Sequence, residues 1–162
     1  METEAYMGPT DIASHSTHGP TSRAEPMFGE PGHAYVYFTY GMHHCMNIVT
    51  EPAGSGTAVL IRGIEPLEGA NTMRSLRQRK TGKELGERDL TNGPGKLCQA
   101  LGIDTRFNKA DLAGNEIWLE EGTAVSSHKI ATTARVGIRE GREHPWRFYL
   151  KGSGFVSKHP NY

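Results

Sequence analysis

Tyr35-Val-Tyr-Phe-Thr-Tyr-Gly-Met-His-His-Cys-Met-Asn47 reads as a strand, a tight turn at Gly41 and a second strand. Every residue from Tyr35 to Thr39 suits a pleated surface, and alternation puts Tyr35, Tyr37 and Thr39 on one face. Tyr40 stands beside a glycine, where the chain turns and a large ring can be held outward. An aromatic at a turn tip, next to an aromatic-lined strand, has the form needed to unstack a nucleobase and hold it. Core packing with one exposed tyrosine satisfies the same pattern.

Outward from this hairpin, strands are predicted at about 34–39, 44–50 and 57–63. Thr57-Ala-Val-Leu-Ile-Arg62 is an almost continuous apolar run ending in an arginine, and Glu51-Pro-Ala-Gly-Ser-Gly56 has hairpin-loop chemistry. Upstream, residues 1–32 are rich in Gly, Pro, Ser and Thr and read as ordered loop or short helix. Downstream, Pro66 opens a predicted helix over 66–79, with Leu67, Met73 and Leu76 inward and the arginines outward. Lys80 to Asp89 is a polar loop. Pro94 starts a second helix in which Leu97, Cys98 and Leu101 share a face, with Gly102 just past its end. Further strands are predicted at 116–120, 129–138 and 146–151. The pattern is that of one α+β domain over residues 1–162, with a mixed, mostly antiparallel sheet, short helices and long ordered loops.

A chain of 162 residues is long enough for one domain with a proper core. No apolar run approaches the ~20 residues of a membrane span, and residues 1–16 lack the form of a signal peptide. Cys45 and Cys98 are too few for a disulfide framework, which makes a reducing, intracellular compartment the default. Net charge is zero, but its distribution is uneven. Residues 1–70 set Arg23 and Arg62 against eight acids, whereas residues 71–100 carry seven cations against Glu84, Glu87 and Asp89. Such a local basic belt serves a phosphate backbone or simply a solvated helix face.

Glu4 and Tyr6, then His15, then Arg62 at a strand end supply a carboxylate, aromatics and an arginine. A carboxylate beside an arginine, walled by aromatics, can orient and deprotonate a water. Singly, each reads equally as a surface acid, a structural histidine or an ion-pair partner. His43-His44-Cys45 has no second metal-ligand pair at ligand spacing, and adjacent strand residues face opposite ways, so no metal is expected. Neither G-x-x-x-x-G-K-[ST] nor G-x-G-x-x-G occurs, so no nucleotide cofactor is expected. Gly93-Pro-Gly-Lys96 is a turn into a helix start, where a phosphate can be accepted.

Taken in order, Glu-Thr-Glu-Ala-Tyr, Ala-Ser-His-Ser, Tyr-Val-Tyr-Phe-Thr-Tyr-Gly-Met, Cys-Met-Asn, Val-Leu-Ile-Arg, Glu-Pro-Leu-Glu-Gly and Asn-Gly-Pro-Gly-Lys-Leu-Cys-Gln-Ala-Leu form a set. With Ala134-Arg-Val-Gly137 and Arg147-Phe-Tyr149, they span Glu2 to about Ser157. The chain resembles the alkyladenine (3-methyladenine) DNA glycosylases of the type lacking a helix-hairpin-helix.

That resemblance implies a hydrolase that flips alkylated or deaminated purines out of duplex DNA. It then cleaves the N-glycosidic bond, without a cofactor, as a monomer acting in the bacterial nucleoid or the nucleus. Tyr40 matches the family's intercalating wedge; Tyr6, His15 and Tyr37 match the walls of its base pocket. Glu4 matches the general base, and Arg62 with the Val136 carbonyl the other ligands of the attacking water. Asn47 matches the pocket-floor residue that crowds the guanine 2-amino group, with Leu60 beside it. Arg23 and Lys96 are the expected DNA-backbone contacts, double-stranded DNA with damaged purines being the implied partner.

Two departures follow. The family carries some tens of residues before Glu-Thr-Glu-Ala-Tyr, including strands of the same sheet, whereas here Met1 directly precedes Glu2. That predicts an exposed sheet edge and fraying at Glu4, and with them the alternative of a catalytically weak or inactive damage-binding module. In Thr17-His-Gly-Pro-Thr-Ser-Arg23 only Arg23 remains of an arginine-richer loop, which predicts weaker DNA affinity.

Overall fold

A computed structural model describes residues 1–81 and 84–157, with the side chains of residues 79–81 excepted. Six strands form one sheet in the order β2-β3-β4-β1-β6-β5. They are β1 (Glu2–Met7), β2 (Ala34–Thr39), β3 (His43–Thr50), β4 (Thr57–Gly63), β5 (Ile130–Thr133) and β6 (Arg147–Leu150). All five pairings are antiparallel, within the α+β, mostly antiparallel architecture the sequence predicts. The helices are α1 (Ala70–Thr81), α2 (Arg88–Thr91) and α3 (Pro94–Leu101).

Register organises the molecule. Tyr35 is opposite Asn47, Asn47 opposite Leu60, Leu60 opposite Glu4 and Glu4 opposite Arg147. Directly paired residues present their side chains on the same face, so this row runs across five strands on one side of the sheet. The other side holds Val36 and Met46, covered by Leu97 and Cys98 of α3 together with Ile103 and Leu112. On the first side, Met27 from the segment between β1 and β2 packs on Tyr35, Val49 and Ala58, with Tyr6, Phe28 and Tyr37 around them. One face is thus core beneath a helix, and the other is an aromatic floor partly covered by a loop.

The β2–β3 hairpin closes as the sequence predicts, with Met42 N–H donating to Thr39 O at 3.2 Å. Tyr40 (φ 51°) and Gly41 (φ 67°) both occupy left-handed backbone, which suits the twist of a hairpin but strains a tyrosine by roughly 1 kcal/mol. Helix α3 also forms as read, from Pro94 to a left-handed Gly102 whose N–H returns to the Cys98 carbonyl.

Several expectations fail. Residues 2–7, read as loop, are a central strand flanked on both sides by β4 and β6, so Glu4 is paired on both sides and not at an open edge. The charged Glu2 and Glu4 disguise the strand, since buried acids invert the usual pattern of apolar residues inside. Helix α1 begins at Ala70 rather than 66, because Gly69 (φ 71°) breaks the run; Leu67, read as inward, is 92% exposed. Arg77, read as outward, is buried and donates to Gln99 Oε1 at 2.8 Å, whereas Leu101, read as inward, is exposed. Only an isolated bridge, Ala113 to Trp118, stands where a strand was predicted at 116–120. The later strands shorten to 130–133 and 147–150. The polar loop over 80–89 ends early, as α2 starts at Arg88; Gly82 and Lys83 lie outside the described residues.

The C-terminal segment closes over the end of β4. A Cβ placed on Gly63 would run into the Phe155 carbonyl oxygen, a contact no side chain can make. Gly63→Ala is therefore expected to destabilise the fold by about 1–3 kcal/mol, read as a lower denaturant midpoint at unchanged m-value. An unchanged midpoint would show that residues 154–157 do not lie against this strand.

Candidate active site

Alternation along β1 turns Glu2, Glu4 and Tyr6 to the same face as Leu60 and Arg62 of β4, and these side chains make a buried polar cluster at the sheet centre. Glu4 is 0% exposed. Its Oε1 accepts from the Val136 N–H at 2.6 Å, and its Oε2 accepts from Tyr6 Oη at 3.2 Å and Arg62 Nη1 at 3.3 Å. Burial pushes the Glu4 carboxyl above its usual range, and the attraction of Arg62 and these hydrogen bonds only partly offset it.

Glu2 has the opposite balance. Burial again acts upward, but the Ser157 backbone and hydroxyl and the Arg147 and Arg62 guanidinium groups outweigh it and hold its pKa low. Arg62 Nε donates to Glu2 Oε1 at 2.9 Å and Arg147 Nε to the same oxygen at 2.7 Å. Arg62 Nη2 donates to Ser157 Oγ at 3.2 Å. Three of the five guanidinium N–H groups of Arg62 are thereby used, leaving two for a further acceptor.

Beside this cluster lies a cavity of about 650 Å³, whose lining includes Tyr6, His15, Tyr37, Asn47, Leu60, Arg62 and Val136. It is large enough for a purine, and polar and apolar groups share its lining about equally. His15 Nδ1 is 2.8 Å from Tyr35 Oη, and its ring meets Tyr37 edge-on with centroids 4.6 Å apart. Burial, and then the charge of Arg23, lower the His15 pKa to about 4, so the ring is neutral near pH 7. Burial raises the Tyr6 and Tyr37 hydroxyls well above their ordinary values, so these walls are neutral too. Asn47 Nδ2 donates to the Tyr35 carbonyl at 3.0 Å, which fixes the plane of its amide at the floor.

Tyr40 lines the mouth of the cavity from the hairpin tip and is 83% exposed. Pro94, at the start of α3, lines the same mouth. Lys96 lies two residues further along and donates from Nζ to Asn92 Oδ1 at 2.7 Å. Arg23 is exposed, with its guanidinium carbon 4.9 Å over the Tyr37 ring. Glu4, Arg62, Val136, Tyr6, His15, Tyr37, Asn47, Leu60 and Tyr40 thus come together, while Arg23 and Lys96 stand outside the lining.

Sequence reasoning missed the residues that hold this site in place. Glu2 carries a readable signal, two residues before Glu4 and so on the same face of a strand. Asp11 and Arg135 carry none, because 124 positions separate them; Arg135 Nη2 donates to Asp11 Oδ1 at 2.7 Å and its Nη1 to the Ala5 carbonyl at 2.9 Å. Among the described residues no group of three or more His, Cys, Asp or Glu is placed to hold a metal ion. No helix among them is long and apolar enough to cross a membrane.

Residues 1–154 match the family model described as Methylpurine-DNA glycosylase (MPG). A protein of Carboxydothermus hydrogenoformans named "Putative 3-methyladenine DNA glycosylase" is 48% identical over 159 residues, covering 98% of this chain and 80% of its own. Proteins of the same name from Alkaliphilus oremlandii and Methanocella arvoryzae are 47% and 48% identical, each over 98% of this chain and over 81% and 78% of their own lengths. The chain belongs to the methylpurine-DNA glycosylase family and, by that membership, is a DNA glycosylase.

Proposed function

We propose that this chain turns alkylated or deaminated purines, namely 3-methyladenine, 7-methylguanine, ethenoadenine and hypoxanthine, out of duplex DNA into the aromatic cavity. There it hydrolyses the N-glycosidic bond, the opening step of base excision repair. The observation that carries the reading is Glu4, a buried carboxylate with a raised pKa, set beside Arg62 at the edge of a purine-sized, aromatic-walled cavity.

In this reaction Tyr40 enters the stack and fills the gap left by the turned-out nucleotide. Its exposure and its fixed left-handed backbone support that role. The base stands among Tyr6, His15 and Tyr37, over Asn47 and Leu60. Neutral, electron-rich rings accept an alkylated, cationic purine, a contact worth roughly 0.5–2 kcal/mol. Asn47 crowds the 2-amino group of guanine and so rejects the normal base. Lys96 and Arg23 meet the DNA backbone at the rim.

Water held by the Val136 carbonyl and the two remaining Arg62 N–H groups attacks C1′ of the sugar. Its oxygen bonds to C1′, the glycosidic electron pair leaves with the purine, and Glu4 takes the proton. Before attack the Glu4 charge faces the growing positive charge on the sugar. No lysine is placed as a covalent nucleophile in this scheme, so the product is an abasic site in an intact strand, released by a monomer.

Glu4→Gln keeps the shape and removes the base. It is expected to lower single-turnover base release by about 10²–10⁴-fold while leaving binding to a stable abasic analogue unchanged. Full activity in this variant would sink the assignment. Because Glu4 must be ionised and its pKa is raised, activity should fall as pH drops through a value above the usual carboxylate range. An acid limb at or below that range would contradict it. Tyr40→Ala is exposed enough to leave the fold alone and should cost about 1–3 kcal/mol of stacking, or roughly tenfold to hundredfold in base release. Rates unchanged in duplex DNA would exclude an intercalating role.

A further inference from the structure

Two walls of the cavity are backed by cations. Arg23 lies over the Tyr37 ring, and Arg135 lies 4.7 Å over the Tyr6 ring. Both tyrosines line the cavity, and neither guanidinium is among its lining groups. The two cations differ in how their charge is balanced. Arg135 is gripped by both oxygens of Asp11, just as Arg62 is paired with Glu2 and Glu4. Among the described residues no carboxylate forms an ion pair with Arg23. Its charge, hydrogen-bonded to the Tyr35 hydroxyl and screened by solvent but not neutralised by a carboxylate, therefore stands beside the cavity wall. His15 already registers it, since Arg23 adds to burial in lowering the proton affinity of that ring.

We propose that Arg23, stacked behind Tyr37, is a specificity-determining residue that biases this cavity toward neutral purine lesions such as hypoxanthine and ethenoadenine, and against cationic ones such as 7-methylguanine. The proposal rests on the glycosylase reading given above. A ring face attracts a cation through its quadrupole, but a cation already on the far face opposes a second one. With Arg23 4.9 Å from the centroid and a stacked base roughly 3.5 Å beyond it, the two charges stand about 8 Å apart. Coulomb repulsion at that distance changes occupancy by about twofold with water-like screening and about thirtyfold at an effective dielectric of 20. The exposure of Arg23 puts the effect near the lower end, about threefold to fivefold.

Bond cleavage adds to the same bias. A cationic lesion takes up the glycosidic electron pair and leaves neutral, gaining nothing from a positive wall. A neutral lesion takes up the same pair and leaves with negative charge, which the Arg23 field stabilises.

The test compares the unsubstituted chain with Arg23→Ala and Arg23→Lys on duplexes carrying 7-methylguanine, hypoxanthine or ethenoadenine at fixed salt. Single-turnover base release is measured, together with equilibrium binding to 2′-fluoro versions of the same lesions that resist cleavage. Arg23→Ala should raise the 7-methylguanine to hypoxanthine ratio about threefold to fivefold in both measurements, and Arg23→Lys should hold the ratio closer to the unsubstituted value. An equal loss on all three lesions would make Arg23 a phosphate contact only and overturn the proposal, as would an unchanged ratio. If the unsubstituted chain releases no base, the glycosylase reading fails, while the binding ratio still decides the role of Arg23.

Discussion

Three buried carboxylates, Glu2, Glu4 and Asp11, must find positive partners, and that requirement ties this molecule together. A carboxylate taken out of water loses several kcal/mol unless paired and hydrogen-bonded, and deleting one partner of such a pair costs about 3–5 kcal/mol. The partners are Arg62, Arg147 and Arg135, each buried and each from a different part of the chain. Glu2 joins β1 to β4, to β6 and to Ser157 near the C-terminus. Asp11 joins the loop after β1 to the segment between β5 and β6. Apolar contacts of similar volume would stabilise the fold as well or better, but they would accept many registers. The ion pairs accept one.

That single register is what sets the site. Shifting β1 by one residue would turn Glu2, Glu4 and Tyr6 away from Arg62 and toward the α3 side of the sheet. The clamp on Glu2 holds its pKa down while the less fully compensated Glu4, on the same strand, is held up. Two carboxylates two residues apart on one strand are thus shifted in opposite directions by their surroundings. Only the second neighbours the cavity through Tyr6, Arg62 and Val136.

Much of this was readable in the residues. The hairpin around Tyr40, the apolar β4 and the capped α3 announce themselves by local chemistry: aromatic alternation, a left-handed glycine, a proline at a helix start. The site residues were reached through ordered motifs, and their positions meet at one cavity although 132 positions separate Glu4 from Val136. What stayed hidden is non-local. Glu2 to Met7 does not look like a central strand, because its inward residues are acids whose partners lie 58 or more positions away. Arg77 looks like a surface helix cation until Gln99 is brought beside it by the packing of α1 on α3. Leu67 looks like helix core until Gly69 ends that possibility.

The opening ambiguity between an aromatic core and an aromatic site resolves on Tyr35, Tyr37 and Tyr40 individually. Tyr35 is 2% exposed and packs with Met27, Val49 and Ala58, so its ring is core, while its hydroxyl meets His15 at the cavity lining. Tyr37 shares that face one step nearer the hairpin tip, lines the same cavity and carries the Arg23 guanidinium over its ring. Tyr40 leaves the sheet altogether, in backbone strained for its type, with neighbouring Met42 and Phe38 also exposed. Core packing explains a tyrosine that loses its contact with water, whereas the ring of Tyr40 keeps it because the hairpin turn carries it clear of the sheet. The turn that sets this φ also holds the ring out at the mouth of the cavity its strand helps to line, which is the placement the proposed wedge requires.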